Sequence, residues 1–296
     1  MNKLFFLLSS ILFLTAAAGN DRPLSFVSET IKPIAVWGNK QKIPLAIPED
    51  RTRQEKLVPG WDGRRRISNV TIPEIYHFPA AGTSPHPAVV IAPGGGYSYL
   101  SWEHEGIEIA SFLQRNGFSA FLLKYRCPGR RKAAQADAAR AIRLIRHRAK
   151  EFNIDPGRVG VIGFSAGAHL CAVLSAPAAE PYAPVDEIDK VDYRPDFAAL
   201  IYPAFLLKDF DRLLLTDEFK IDSKTPPTLL IQTGDDPIKV EKSLGWYRAL
   251  RKAKVDCEMH IWHKGGHGYG LWLKNHPVSD WHIPAIKWFR MVAKMQ

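Results

Sequence analysis

The stretch "VGVIGFSAGAHL", residues 159–170, decides the fold. Val159, Val161, Ile162 and Phe164 form a short apolar run of the kind that suits a strand buried on both faces of a parallel sheet. The chain then sets Ser165 between Gly163 and Gly167 and continues into "AGAHLCAVLSA", which reads as a buried helix. A serine in a tight strand-to-helix turn has a chemical use. Small neighbours let helix and strand approach closely, the hydroxyl is aimed outward, and the first helical N–H groups stay free to hold an oxyanion. The same five residues also fit a plain Gly/Ser turn, so the rest of the chain has to choose.

Outward from this stretch, strand and helix patterns alternate. "HPAVVIAP" is an apolar strand, and "EGIEIASFLQRNG" is a helix with Gly117 at its end. "SAFLLKYR" is a strand, followed by the long helix "AAQADAARAIRLIRHRAKEF", whose apolar residues recur at spacings of three and four. After residue 170 come the strands "FAALIYP" and "PTLLIQTG", the helix "VEKSLGWYRALRKA", the strand "CEMHIWH" and a closing helix in "DWHIPAIKWFRMVAKM". This alternation predicts one α/β domain over residues 67–296, with a mostly parallel central sheet and helices on both faces.

Upstream the texture differs. Residues 19–66, with "PEDRTRQEKLVPGWDGRRR", are expected as an exposed, irregular N-terminal arm. Residues 1–18 carry Lys3, an apolar run from Leu4 to Leu14 and the small residues Ala16-Ala17-Ala18. That is the pattern of a secretory signal peptide, too short in its apolar part to span a bilayer. The mature chain is therefore expected to be exported, to the periplasm or beyond, with no membrane span. The composition, 46% hydrophobic and 24% charged, is that of a globular protein. Its net charge of +10 is spread along the chain without a binding motif, which points to a solvated basic surface and away from nucleic acid. Cys127, Cys171 and Cys257 are too few for a disulfide framework, and Cys171 reads as a small core residue.

In such a sheet ligands bind beyond the carboxyl ends of the strands, so each strand end matters. One delivers Ser165. "AVVIA" delivers Pro93-Gly94-Gly95-Gly96-Tyr97, whose glycines can turn backbone N–H groups toward a substrate oxygen. A dinucleotide fingerprint fails there because Tyr99 stands where the third glycine belongs, and no lysine follows at phosphate-loop spacing. "PTLLIQTG" delivers Asp235-Asp236-Pro237, turn chemistry by itself but also an acid placed to orient a histidine. The last strand delivers "HKGGHGYG", with His267 between glycines. His263 and His267 have zinc-like spacing, yet strand alternation sends Cys257 and His263 to one face and His260 to the other, so no metal site is expected. His169, four residues after Ser165 on one helix, fits a support behind the nucleophile better than its base. The base is His267. The chain order Ser, Asp, His at successive strand ends is that of the α/β-hydrolase arrangement.

Taken together, "IAPGGGYSYLSWEHEG", "LLKYRCPG", "NIDPGRVGVIGFSAGAHL", "RPDFAALIYP", "QTGDDPIKVEKSL" and "KGGHGYGLW" resemble the α/β-hydrolase family of bacterial acetylxylan esterase-like proteins over roughly residues 67–275. The resemblance implies Asp236 as the acid, with Asp235 as fallback, and oxyanion donors at Gly95, Gly96 and Ala166. Pro93 stands where lipase-like relatives often carry histidine, and Ala168 where a second glycine is common. It also implies a secreted serine esterase acting on O-acetyl esters of xylan or other acetylated saccharides, with no metal or organic cofactor. Tyr97, Trp102, Tyr269 and Trp272 are the candidate sugar-facing aromatics, although most of the eight tryptophans should be packing residues. The long connection 176–196 is expected on the active side of the sheet as a small cap. Two other readings stay open: a general short-chain carboxylesterase or peptidase-like hydrolase, and a non-catalytic carbohydrate-binding protein on the same fold.

Overall fold

The computed structural model describes residues 30–38, 43–60, 62–271 and 276–295. The segment 1–18, expected as a signal peptide, and Trp272 lie outside them. Eight strands form the main sheet: β1 Pro33–Ala35, β2 Glu74–Phe78, β3 His86–Ala92, β4 Ser119–Lys124, β5 Ile154–Phe164, β6 Ala198–Ile201, β7 Thr228–Thr233 and β8 Cys257–Trp262. Their order is β1-β2-β4-β3-β5-β6-β7-β8. The β1–β2 and β2–β4 pairs are antiparallel, and every pair from β4 through β8 is parallel. All residues of β4, β6 and β7 are buried, as expected where helices cover both faces.

Among the described residues five α-helices pack on this sheet: α1 Glu108–Arg115, α2 Arg131–His147, α3 Ala166–Ser175, α4 Glu241–Lys252 and α5 His282–Val292. From β3 to β4 the chain steps one way across the sheet. From β4 to β5, β5 to β6 and β7 to β8 it steps the other way. Right-handed crossovers therefore put α1 on one face and α2, α3 and α4 on the opposite one. The Phe118 ring beyond α1 meets Phe289 of α5 at 5.8 Å, so α5 shares the face of α1. Neighbouring strands β3 and β5 send their crossovers in opposite directions, which opens a crevice beyond their carboxyl ends. The register sets Ala92 of β3 beside Gly163 of β5, so the glycine triplet and Ser165 emerge side by side into that crevice.

The described part of the segment expected as an exposed arm, residues 30–38, 43–60 and 62–66, is woven into the fold. β1 extends the sheet, and Val36 and Trp37 are 1% exposed. The Trp37 indole N–H donates to the Asp137 carboxylate at 2.8 Å, and the same carboxylate takes the Arg126 guanidinium at 2.7 Å. Lys56–Pro59 pairs with Arg65–Ser68, which in turn pairs with Tyr99–Leu100 just past the glycine triplet. The polar residues that made the segment look solvated form ion pairs with partners far along the chain, Asp50 with Arg130 and Glu55 with Lys124.

The connection 176–196 is also misplaced by the sequence reading. It leaves the end of α3 distant from Ser165 and returns to the start of β6, on the opposite edge of the sheet from the crevice. Asp186 and Asp189 tie it to Arg140 of α2. The rim near Ser165 comes instead from the segment after β6. The three cysteines are free thiols, and among the described residues no helix is long and apolar enough to cross a membrane.

One half-buried histidine gives the fold a pH signature. His77 on β2 stacks on its cross-strand partner Phe121 at 4.4 Å, with the edge of Phe152 at 5.1 Å. Burial lowers its pKa from 6.5 to about 4, with Glu151 pulling weakly the other way. A depressed histidine is neutral in the folded chain while the unfolded chain takes a proton below pH 6.5, so stability is complete above that pH and falls toward pH 4. The shift corresponds to a loss on the order of 3 kcal/mol across this window. Urea unfolding from pH 7 to pH 4 should show this slope in the wild type and a flatter one in His77→Phe.

Candidate active site

Ser165 occupies φ 52°, ψ −114°, a conformation that non-glycine residues rarely adopt. Two close contacts hold it there. A Cβ at Gly167 would stand 2.0 Å from the Ala92 carbonyl oxygen, and one at Gly163 would stand 2.3 Å from that of Gly167. Only glycine lets α3 sit this deep against β3 and β5. Backbone bonds complete the turn: the Ser165 N–H donates to Ile201 O, and Ala204 N–H donates to Ser165 O.

The loops after β7 and β8 meet at the serine hydroxyl. His267 Nε2 lies 2.9 Å from Ser165 Oγ, and His267 Nδ1 lies 2.8 Å from Asp236 Oδ2. Asp236, 5% exposed, also accepts from Gln232 Nε2 at 3.1 Å and from the Ile238 N–H at 2.7 Å. With Asp236 accepting at Nδ1, the neutral imidazole carries its proton there and presents a bare Nε2 to the hydroxyl. Asp235 does different work. Its Oδ1 accepts the N–H groups of Gly266 and Gly265, which hold its carboxyl below the usual range and fix the loop before His267.

The glycine triplet lies against this group. A Cβ at Gly95 would fall 2.1 Å from the Tyr99 carbonyl oxygen, whereas one at Gly96 would meet nothing within 4 Å. Among the described residues no acceptor meets the N–H of Gly95, Gly96 or Ala166, while the N–H of Gly94 is taken by Glu105 at 2.7 Å. His169 stands behind Ser165. Its Nδ1 receives the Tyr97 hydroxyl at 2.7 Å and its Nε2 faces Glu218 at 3.2 Å. Burial keeps the His169 pKa low against the pull of Glu218, and burial pushes the Tyr97 hydroxyl well above its ordinary value. A neutral ring then accepts from Tyr97 and donates to Glu218.

The aromatic candidates need correction. Trp102 is 0% exposed and edge-on to Tyr76, and Tyr269 is 3% exposed against Tyr202. Neither offers a face to a sugar. Tyr97 is buried too, its hydroxyl spent on His169. The sequence reading gave no role to three residues of this site. Phe205, 37% exposed, follows Ala204, which bonds to Ser165; the Arg131 guanidinium lies 4.6 Å from its ring centre. Tyr202 sets its ring 4.9 Å from that of His267. Glu105 connects Tyr202 to Gly94. No signal in the sequence separates Glu105 from its acidic neighbours Glu103 and Glu108.

Comparison with known proteins places these features in a lineage. The BD-FAE family profile matches residues 74–190. An acetylxylan esterase of Xylanibacter ruminicola is 34% identical over 233 residues, 68% of this chain and 46% of that protein. An endo-1,4-beta-xylanase B of Butyrivibrio fibrisolvens is 30% identical over 220 residues, 67% of this chain and 34% of that protein. The chain thus spans less than half the length of either. Among solved structures, an acetyl ester-xyloside bifunctional hydrolase from Caldicellulosiruptor lactoaceticus is 32% identical with a TM-score of 0.73, covering 90% of this chain and 97% of that one.

The two acids make the geometry testable. Asp236→Asn removes the carboxylate that fixes the imidazole tautomer, so reaction of Ser165 with a fluorophosphonate should slow by roughly 10³- to 10⁴-fold. Asp235→Asn keeps a carbonyl oxygen for the Gly265 and Gly266 N–H groups and should stay within about tenfold of wild type. Labelling rates read by mass spectrometry check both.

Proposed function

The chain belongs to the α/β-hydrolase superfamily, in its acetylxylan esterase-like family, and from that premise we propose that it is a secreted serine esterase that removes O-acetyl groups from xylan or other acetylated saccharides. The observation that carries this reading is the continuous chain Asp236–His267–Ser165, at 2.8 and 2.9 Å, beside unpaired N–H groups.

In this reading Ser165 Oγ attacks the ester carbonyl while His267 Nε2 takes its proton. Asp236 stabilises the resulting imidazolium. The tetrahedral oxyanion is held by the N–H groups of Gly95, Gly96 and Ala166, each worth on the order of 3 kcal/mol in the barrier. Collapse passes the proton from His267 to the departing sugar oxygen and leaves acetyl-Ser165. Water, deprotonated by His267, then releases acetate and restores the serine. The chemistry needs no metal. The residue 1–18 pattern supports export, and the names of the relatives support an acetylated xylan as substrate. Phe205 is the ring we assign to the substrate side, with Arg131 fixing its orientation.

A short-chain carboxylesterase without saccharide preference is the second reading. The burial of Tyr97, Trp102 and Tyr269 favours it, since those rings cannot form a sugar platform. Acetate release from acetylated xylo-oligosaccharides compared with hydrolysis of p-nitrophenyl acetate, p-nitrophenyl butyrate and a peptide amide separates the readings. A saccharide esterase shows its highest kcat/KM on the oligosaccharide. Phe205→Ala should then raise KM for that substrate roughly fivefold, about 1 kcal/mol, and leave p-nitrophenyl acetate unchanged. Highest activity on the amide, or full activity in Ser165→Ala, would sink the esterase reading.

A further inference from the structure

We propose that Glu105 is a positioning residue that holds the oxyanion loop and the histidine loop in one register. This rests on the esterase reading and adds to it a residue outside the triad and the oxyanion donors.

Glu105 lies in a single π-helical turn, Glu103–Ile107, closed by the Ile107 N–H to Trp102 O at 3.0 Å and continuous with α1. Such turns insert one extra residue, and they concentrate at functional sites. This one turns His104, Glu105 and Gly106 inward. The Glu105 side chain is 2% exposed, yet among the described residues no lysine or arginine pairs with it. Its one basic neighbour is His104, at 3.9 Å, and burial lowers the pKa of that ring. A carboxyl group buried without a cation is costly unless each oxygen is met by a donor.

Both oxygens are met, and by different catalytic loops. Oε2 accepts the Gly94 N–H at 2.7 Å. Oε1 accepts the Tyr202 hydroxyl at 2.8 Å, and burial holds that hydroxyl protonated. The Tyr202 oxygen in turn accepts the Gly270 N–H at 3.2 Å, three residues past His267, and its ring packs on the imidazole. A Cβ at Gly94 would lie 2.7 Å from Glu105 Oε2 and 3.0 Å from Ser165 Cβ, so the loop is pinned between carboxylate and nucleophile. Gly94 precedes the two glycines whose N–H groups face the oxyanion. One carboxylate therefore sets the donors and, through Tyr202, the base. A misplacement of about 1 Å in such groups costs on the order of 10²-fold.

The test uses the full chain, p-nitrophenyl acetate, and the rate of Ser165 labelling by a fluorophosphonate. Glu105→Ala should lower kcat and the labelling rate about 100-fold with KM within roughly threefold. Glu105→Gln, which still offers an oxygen to Gly94, should recover to within about tenfold of wild type. Tyr202→Phe should lower kcat about tenfold, and in the Glu105→Ala background it should cost clearly less than that, because the two variants share the loss of the Glu105–Tyr202 bond. A folded Glu105→Ala that labels at the wild-type rate, or losses that multiply in the double variant, overturns the proposal. If Glu105→Ala does not fold, Tyr202→Phe decides: lower kcat at constant KM supports the link, and unchanged kcat overturns it. A wild type that labels at Ser165 but hydrolyses no acetyl ester removes the substrate assignment and leaves the labelling comparison valid. A wild type with an unreactive Ser165 overturns both.

Discussion

The seating of α3 on β3 and β5 is the constraint from which the rest of the site follows. Backbone packs directly on backbone where Gly163 and Gly167 meet, with no space for even one methyl group between helix and sheet. A helix that starts this close to the strand end leaves the connecting residue only a left-handed conformation, and Ser165 takes it. Such a residue stores on the order of 1–3 kcal/mol, and it persists because neighbouring structure over-determines it. Here β6 and the turn that follows it do so, β6 by accepting the Ser165 N–H at Ile201 and the turn by returning the Ala204 N–H to Ser165 O. The placing of the hydroxyl against His267 is thus a consequence of packing.

Strain recurs around the serine in bulky residues. Tyr97, Tyr202 and Phe205 all have positive φ, at 61°, 40° and 56°. Two of the three are held by a buried polar partner, Tyr97 by His169 and Tyr202 by Glu105. Division of labour is equally plain in the adjacent acids. Asp235 spends its oxygen on backbone N–H groups and shapes the histidine loop, which leaves Asp236 free to face the imidazole. Neighbours in sequence, they separate because the turn after β7 sends one side chain to the loop and the other into the crevice.

How much of this was legible follows from the range of the interactions. The strands and helices after residue 67 and the close approach at Gly163 and Gly167 are local or periodic, and the sequence carried them. So did the placing of His169 behind the nucleophile, since four residues is one helical turn. The choice of Asp236 over Asp235 came through resemblance, because alternation alone does not say which acid faces inward. The failures all concern long-range contacts. The polar segment before residue 67 looked solvated until its charges found Arg130 and Lys124 some seventy to eighty residues away. Trp102 and Tyr269 looked available because they flank the catalytic motifs. In the folded chain the rings Tyr76 and Tyr202 cover them. The cap was assigned to 176–196 by length and polarity, but a helix that starts at the active edge must end at the other one. Arg126 and Asp137, both fully buried, form a pair that spacing does not reveal.

The glycine loop after β3 brings these threads together. Gly94 is held from the face of α1, through Glu105, and Tyr97 is held from the face of α3, through His169. Since α1 and α3 lie on opposite sides of the sheet, the loop is fastened at both ends from opposite directions. Only Gly95 and Gly96 remain between the two fastenings, with their N–H groups unpaired among the described residues. Preorganised donors are effective because they need no reordering as charge develops. A glycine triplet alone would supply mobile donors, since glycine loses the most conformational freedom on ordering. The two buried polar links remove that freedom in advance, which is why a loop made of the most flexible residue can hold its N–H groups in fixed positions.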